Sequence, residues 1–184
     1  MGLYSEKSKT RLDGKTAVVT GSNTGIGKET AKDLYKRGAT VILACRNSER
    51  AENAIKDIID ATKEVPNVGK LRLVELNLSS LKSIRECCSK LLPNVGKLRL
   101  VELNLSSLKS IRECCSKLLH NYDRIDLLIN NAGIMSCPYG KTEDGFEIQF
   151  GTNHLGHFLL TLLLLPRIMK STPARIVNVS SVAY

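Results

Sequence analysis

Apolar residues along this chain come in two rhythms that take turns. "KTAVVTG" (15–21) is a short β-branched run closed by Gly, and "IGKETAKDLYKRG" (26–38) has helical spacing with a Gly stop. Together they predict strand, tight turn and helix. "TVILACR" (40–46) is again a continuous apolar run, and in "SERAENAIKDIIDATKEV" (48–65) Ala51, Ala54, Ile55, Ile58 and Ile59 fall on one helical face. A third strand and helix follow in "LRLVELNL" and "SSLKSIRECCSKLL". "IDLLINNAG" (125–133) predicts the fourth strand, a long helix is expected from about Thr142 to Met169, and "RIVNVSS" (175–181) predicts the fifth strand. Continuous apolar strands alternating with amphipathic helices mean a parallel sheet covered on both faces, because each right-handed crossover lays a helix on the sheet. The fold class is α/β, a doubly wound parallel sheet of the Rossmann type.

The third unit is written twice. "PNVGKLRLVELNLSSLKSIRECCSKLL" fills 66–92 and then, letter for letter, 93–119. A doubly wound sheet has one slot for its third strand, so one strand-helix unit is surplus. Identical copies have not been adjusted to two different surroundings, unlike the units of a working repeat array. The second copy is expected in the slot, because its helix leads directly into "HNYDRIDLLINNAG", whereas the first copy's helix runs into Pro93.

Composition changes this picture little. A chain of 184 residues with 42% hydrophobic and 24% charged residues is one soluble globular domain. It is placed at 11–184, behind a polar segment at 1–10. The net charge of +9 suggests nucleic acid, but each copy holds five cations against two Glu, so a single-copy chain would carry +6. The charges are spread over helical segments as solvated faces, and no nucleic-acid partner is expected. Four of the six cysteines are one vicinal pair copied (Cys87, Cys88, Cys114, Cys115), and neither they nor Cys45 and Cys137 have metal-binding spacing. "MGLYSEKSKT" contains no apolar leader. "FLLTLLLLP" from Phe158 is about half of the ~20 residues a bilayer span needs and reads as a buried helix. The expectation is a cytoplasmic chain with reduced thiols and no membrane-crossing segment.

The turn after the first strand carries the first candidate chemistry. Gly21, Ser22, Asn23, Thr24, Gly25, Ile26 and Gly27 join a strand to a helix. Glycines there let the backbone turn sharply and let a pyrophosphate approach the amides at the helix N-terminus. A P-loop is excluded, because Ser22 and Glu29 stand where that motif needs Gly and Ser or Thr. At the end of the second strand, where a carboxylate would hold the ribose hydroxyls of NAD, the chain has Ala44, Cys45 and Arg46. A guanidinium binds a 2′-phosphate that a carboxylate would repel, so Arg46 predicts NADP(H).

"TGSNTGIG", "NNAG" after the fourth strand, "TNHLGHFLLT" in the long helix and "IVNVSS" on the fifth strand, in that order, resemble the short-chain dehydrogenase/reductase family. "ACRN", "NNAGIM" and "FGTNHLGHFLLTLLLLP" resemble its branch of retinol dehydrogenases and WW-domain oxidoreductases. The resemblance implies that Asn130, Asn131, Ala132 and Gly133 line the adenosine ribose and brace the sheet. It implies that Asn153 supports a proton relay through water and that Ser181 hydrogen-bonds the substrate carbonyl. The implied activity is NADP(H)-dependent oxidoreduction of a lipophilic alcohol, aldehyde or ketone. Self-association and membrane association of the related proteins are left open.

The chain departs from the family pattern in two further respects. The Asp that meets the adenine amino group is Asn77 in the first copy and Asn104 in the second, and an amide oxygen can still accept that bond. The Tyr-x-x-x-Lys pair is absent: four residues after Tyr4, Tyr35, Tyr122 and Tyr139 stand Ser8, Ala39, Asp126 and Glu143, and Tyr184 is the last residue. The chain therefore reads as a C-terminally incomplete version of such an enzyme, without turnover of its own. The alternative is a non-catalytic nucleotide-binding or interaction module.

Overall fold

The computed structural model describes residues 10–66 and 98–181. Residues 1–9, the first repeat copy beyond Pro66 (with Asn77, Cys87 and Cys88) and Tyr184 lie outside the described residues. The elements in chain order are β1 (Thr16–Thr20), α1 (Gly25–Lys36), β2 (Thr40–Cys45), α2 (Ser48–Asp60), β3 (Leu98–Glu102), α3 (Leu108–Asn121) and β4 (Leu127–Asn130). A short α4 (Ile148–Phe150), a π turn (Gly151–Leu155), α5 (Gly156–Lys170) and β5 (Arg175–Asn178) complete them. The strands form one parallel sheet in the order β3-β2-β1-β4-β5. The order reverses between β1 and β4, which opens a crevice beyond the carboxyl ends of those strands.

The sheet slot beside β2 holds the second repeat copy, paired from Val41↔Leu98 to Cys45↔Glu102. Successive residues of β1 face opposite ways and so feed two cores. Ala17 and Val19 pack with Ala31, Tyr35, Ala54 and Ile58 of α1 and α2. Val18 packs on the other face with Ile111, Leu118, Leu160 and Leu164 of α3 and α5. Because α3 packs on the sheet and alongside α5, both members of its cysteine pair are buried, Cys114 at 1% and Cys115 at 2% exposure. Burial pushes both thiols up to about 12, which makes them unreactive apolar fillers.

Asp126 closes the opposite end of the sheet. Its carboxylate accepts from the Thr16 amide at 2.9 Å and pairs with Lys15 at 3.0 Å and Arg124 at 2.6 Å. Burial alone would raise its pKa, but these donors outweigh that and hold it below the ordinary carboxylate range.

Three expectations need correction. The long helix does not start at Thr142: "TEDGFE" is a turn, closed by Gly145 N donating to Thr142 O at 3.0 Å, with Gly145 at φ +87. Helical geometry begins at Ile148 and includes a π turn around Asn153. The "FLLTLLLLP" segment is not fully buried either, since Leu160 and Leu164 face the core while Phe158 and Leu162 are 57% and 48% exposed. Finally, α2 stops at Asp60 rather than near Val65, with turns following. Among the described residues no helix is long and apolar enough to cross a membrane.

Candidate dinucleotide site

The turn after β1 is shaped by two glycines that cannot be replaced without displacing their neighbours. A Cβ on Gly21, whose φ is +62, would stand 2.8 Å from Cα of Ala132, and one on Gly27 would stand 2.5 Å from the Asn131 amide and 2.6 Å from Gly21 O. The turn therefore lies directly on the Asn131–Ala132 turn that follows β4. Gly25, at φ +54, is different: a Cβ there meets nothing within 4 Å. The space above the start of α1 is open. Thr24 gives α1 no side-chain cap, and its first turn has no acidic residue, so the leading amides of the helix are left for an anion. This arrangement fits a bound pyrophosphate. Ser22 points inward instead: it is buried, and its hydroxyl donates to Val19 O at 3.0 Å and lies 3.6 Å from Cys45 Sγ. Its side chain braces the turn.

Thr20 ties the turn to the rest of the site. Its hydroxyl oxygen accepts from the amides of Asn131 and Ala132, each at 2.9 Å, and meets His157 Nε2 at 2.9 Å. Asn131 Nδ2 returns a bond to Thr20 O at 3.0 Å. The other ring nitrogen of His157 lies 2.8 Å from Asn153 O. A carbonyl can only accept, so Nδ1 carries the proton and Nε2 accepts the Thr20 hydroxyl. Burial pushes His157 below its usual pKa, which favours this neutral form. The imidazole thus joins the end of β1 to the π turn, and the Thr20 hydroxyl joins both to the turn after β4. His157 was missed in the sequence; its place four residues after Asn153 was the available signal.

Asn153 is held on both sides by one backbone unit, accepting from Ile134 N at 2.9 Å and donating to Ile134 O at 2.8 Å. It fixes the chain just after Gly133. Asn130 braces the sheet, as the resemblance implied, by donating to Thr161 Oγ1 at 3.0 Å and Asn178 Oδ1 at 2.8 Å. Ser181 lies exposed just past β5, on the same edge of the sheet. Arg46, the residue after β2, is exposed and has no ion pair among the described residues, while Asn47 beside it caps α2 by accepting from Arg50 N at 2.8 Å.

The Asn104 side chain is engaged by its own loop and by the turn at Glu143. Its side-chain oxygen accepts from Ser106 N at 3.2 Å and Ser106 Oγ at 2.7 Å, and its amide nitrogen donates to Glu143 Oε1 at 3.3 Å. The oxygen expected to receive the adenine amino group is already occupied. Among the described residues no group of His, Cys, Asp and Glu could hold a metal ion.

The sequence model of the short chain dehydrogenase family matches residues 15–100 and again 72–184, overlapping on the doubled segment. The chain belongs to the short-chain dehydrogenase family. Human retinol dehydrogenase 13 is 47% identical over 177 residues, covering 96% of this chain and 44% of the relative. Human retinol dehydrogenase 14 is 47% identical over 182 residues, covering 94% of this chain and 46% of the relative. The chain thus spans less than half the length of these relatives. A crystal structure of a Mycobacterium paratuberculosis protein aligns with TM-score 0.64 at 37% identity, over 95% of this chain and 48% of that one. The NADP complex of Pseudomonas aeruginosa RhlG aligns with TM-score 0.66 at 24% identity, over 95% of this chain and 56% of that one, and shows the shared fold.

Proposed function

We propose that this chain is the cofactor-binding part of an NADP(H)-dependent oxidoreductase acting on a lipophilic alcohol, aldehyde or ketone, of the kind its retinol dehydrogenase relatives are named for. The observation that carries the reading is the open space at Gly25 above an uncapped helix start, held against the Asn131–Ala132 turn by Thr20. Amides of residues 25–27 take the pyrophosphate, Arg46 takes the 2′-phosphate, and Asn131 to Gly133 line the ribose. Bound NADP(H) would supply or accept the hydride. Ser181 donates to the substrate oxygen, and Asn153 holds the Ile134 backbone that borders the site. The protein also needs a group to move the carbonyl proton, and residues 1–184 contain no Tyr-x-x-x-Lys pair to do it. This part of the chain accordingly binds nucleotide without turning it over, which is also what the alternative, a non-catalytic nucleotide-binding module, would do.

Arg46 is the point at which the reading is tested. Fluorescence titration with NADPH and NADH should show tighter NADPH binding, by about tenfold or more. Arg46→Ala should remove that preference and leave NADH affinity unchanged. Equal affinities in the unaltered protein, or a preference that survives the substitution, would overturn the NADP(H) assignment.

A further inference from the structure

We infer that Glu143, in the turn before α4, supplies the acceptor for the adenine amino group in place of the side chain at position 104. This rests on the cofactor reading above. With the pyrophosphate at the end of β1 and the 2′-phosphate at Arg46 after β2, the adenine continues toward the end of β3, where Leu103 to Ser107 lie. An adenine amino group is a donor and needs an acceptor there.

Asn104 cannot provide it. A backbone amide can only donate and a carboxylate can only accept, so the bonds from Ser106 N and to Glu143 fix the orientation of the Asn104 amide. Both lone pairs of its oxygen are used by Ser106, at 3.2 Å and 2.7 Å. What Asn104 still offers is N–H, and a donor facing a donor repels.

Glu143 is the acceptor beside it. Its Oε1 lies 3.3 Å from Asn104 Nδ2. The turn that carries it is pinned to the same loop at two further points: Glu143 N donates to Ser106 O at 3.1 Å, and the neighbouring Asp144 accepts from Leu108 N at 2.7 Å. The carboxylate is exposed, so a nucleotide can reach it, and an ionised oxygen accepts more strongly than an amide. An acidic acceptor lost from the loop after β3 is thereby restored from a segment some 40 residues further along, as the Asn104–Glu143 separation of 39 positions shows.

The test uses NADPH and its deamino analogue, in which hypoxanthine replaces adenine and the amino group is gone. The unaltered protein should bind NADPH about tenfold tighter than the analogue. Glu143→Ala should lower NADPH affinity by about the same factor and leave the analogue unaffected, and Asn104→Asp in the Glu143→Ala background should restore the discrimination. If Glu143→Ala weakens both nucleotides equally, or neither, Glu143 is not the acceptor. If the unaltered protein binds NADPH but does not distinguish it from the analogue, the inference fails while the cofactor reading stands; if it binds neither, both fail.

Discussion

β1 and β5 are parallel strands of similar composition, TAVVT and RIVN, in one sheet, yet all five residues of β1 are buried and all four of β5 are exposed. The difference lies in what surrounds them. β1 runs between β2 and β4 with helices on both faces, while β5 pairs with β4 alone among the described residues. The same contrast holds at their carboxyl ends. Past β1, two glycines, the Asn131–Ala132 turn and His157 form a closed network of bonds. Past β5, Ser181 lies on an exposed stretch. Strand-forming sequence thus specifies a strand, but a functional end is built by residues from several other elements.

The contrast should be broken most severely at Gly27. Gly27→Ala places a methyl carbon 2.5 Å from Asn131 and 2.6 Å from a backbone oxygen, so the two turns must separate. The expected cost is about 3 kcal/mol by chemical denaturation, with loss of NADPH binding. Retention of both would mean that the turns are not locked together.

A paired comparison sharpens it further. Val18 is 0% exposed and Val177 is 42% exposed, so Val18→Ala should cost about 2 kcal/mol and Val177→Ala about 0.5 kcal/mol or less. Equal costs, measured by urea unfolding of residues 1–184, would show that β5 is covered as well as β1.

Much of this was legible in the sequence because it depends on local pattern. The alternation of apolar runs and amphipathic segments gave all five strands, the parallel sheet and the glycine turn. The choice between the repeat copies followed from chain continuity: only the second copy leads by a short connection into β4. What was hidden depends on contacts between distant residues. The side-chain oxygen of Asn104 is spent on Ser106, and Glu143, in a segment read as helix, forms a turn against that loop. The outer face of α5 could not be told from its inner face because Leu occupies both. The π turn at Gly151–Leu155 leaves no mark in composition, and the joining role of His157 appears only when α5 meets the end of β1.

The central proposal is that residues 1–184 bind NADP(H) but lack the proton-transfer pair. It is tested most directly by one sample: residues 1–184 are titrated to saturation with NADPH, retinaldehyde is then added, and the nucleotide's absorbance is followed. The account predicts saturable binding and no consumption above background, since general acid–base assistance alone is worth about 10²–10⁴ in rate. Absence of saturable binding, or sustained NADPH oxidation by this chain, would contradict it.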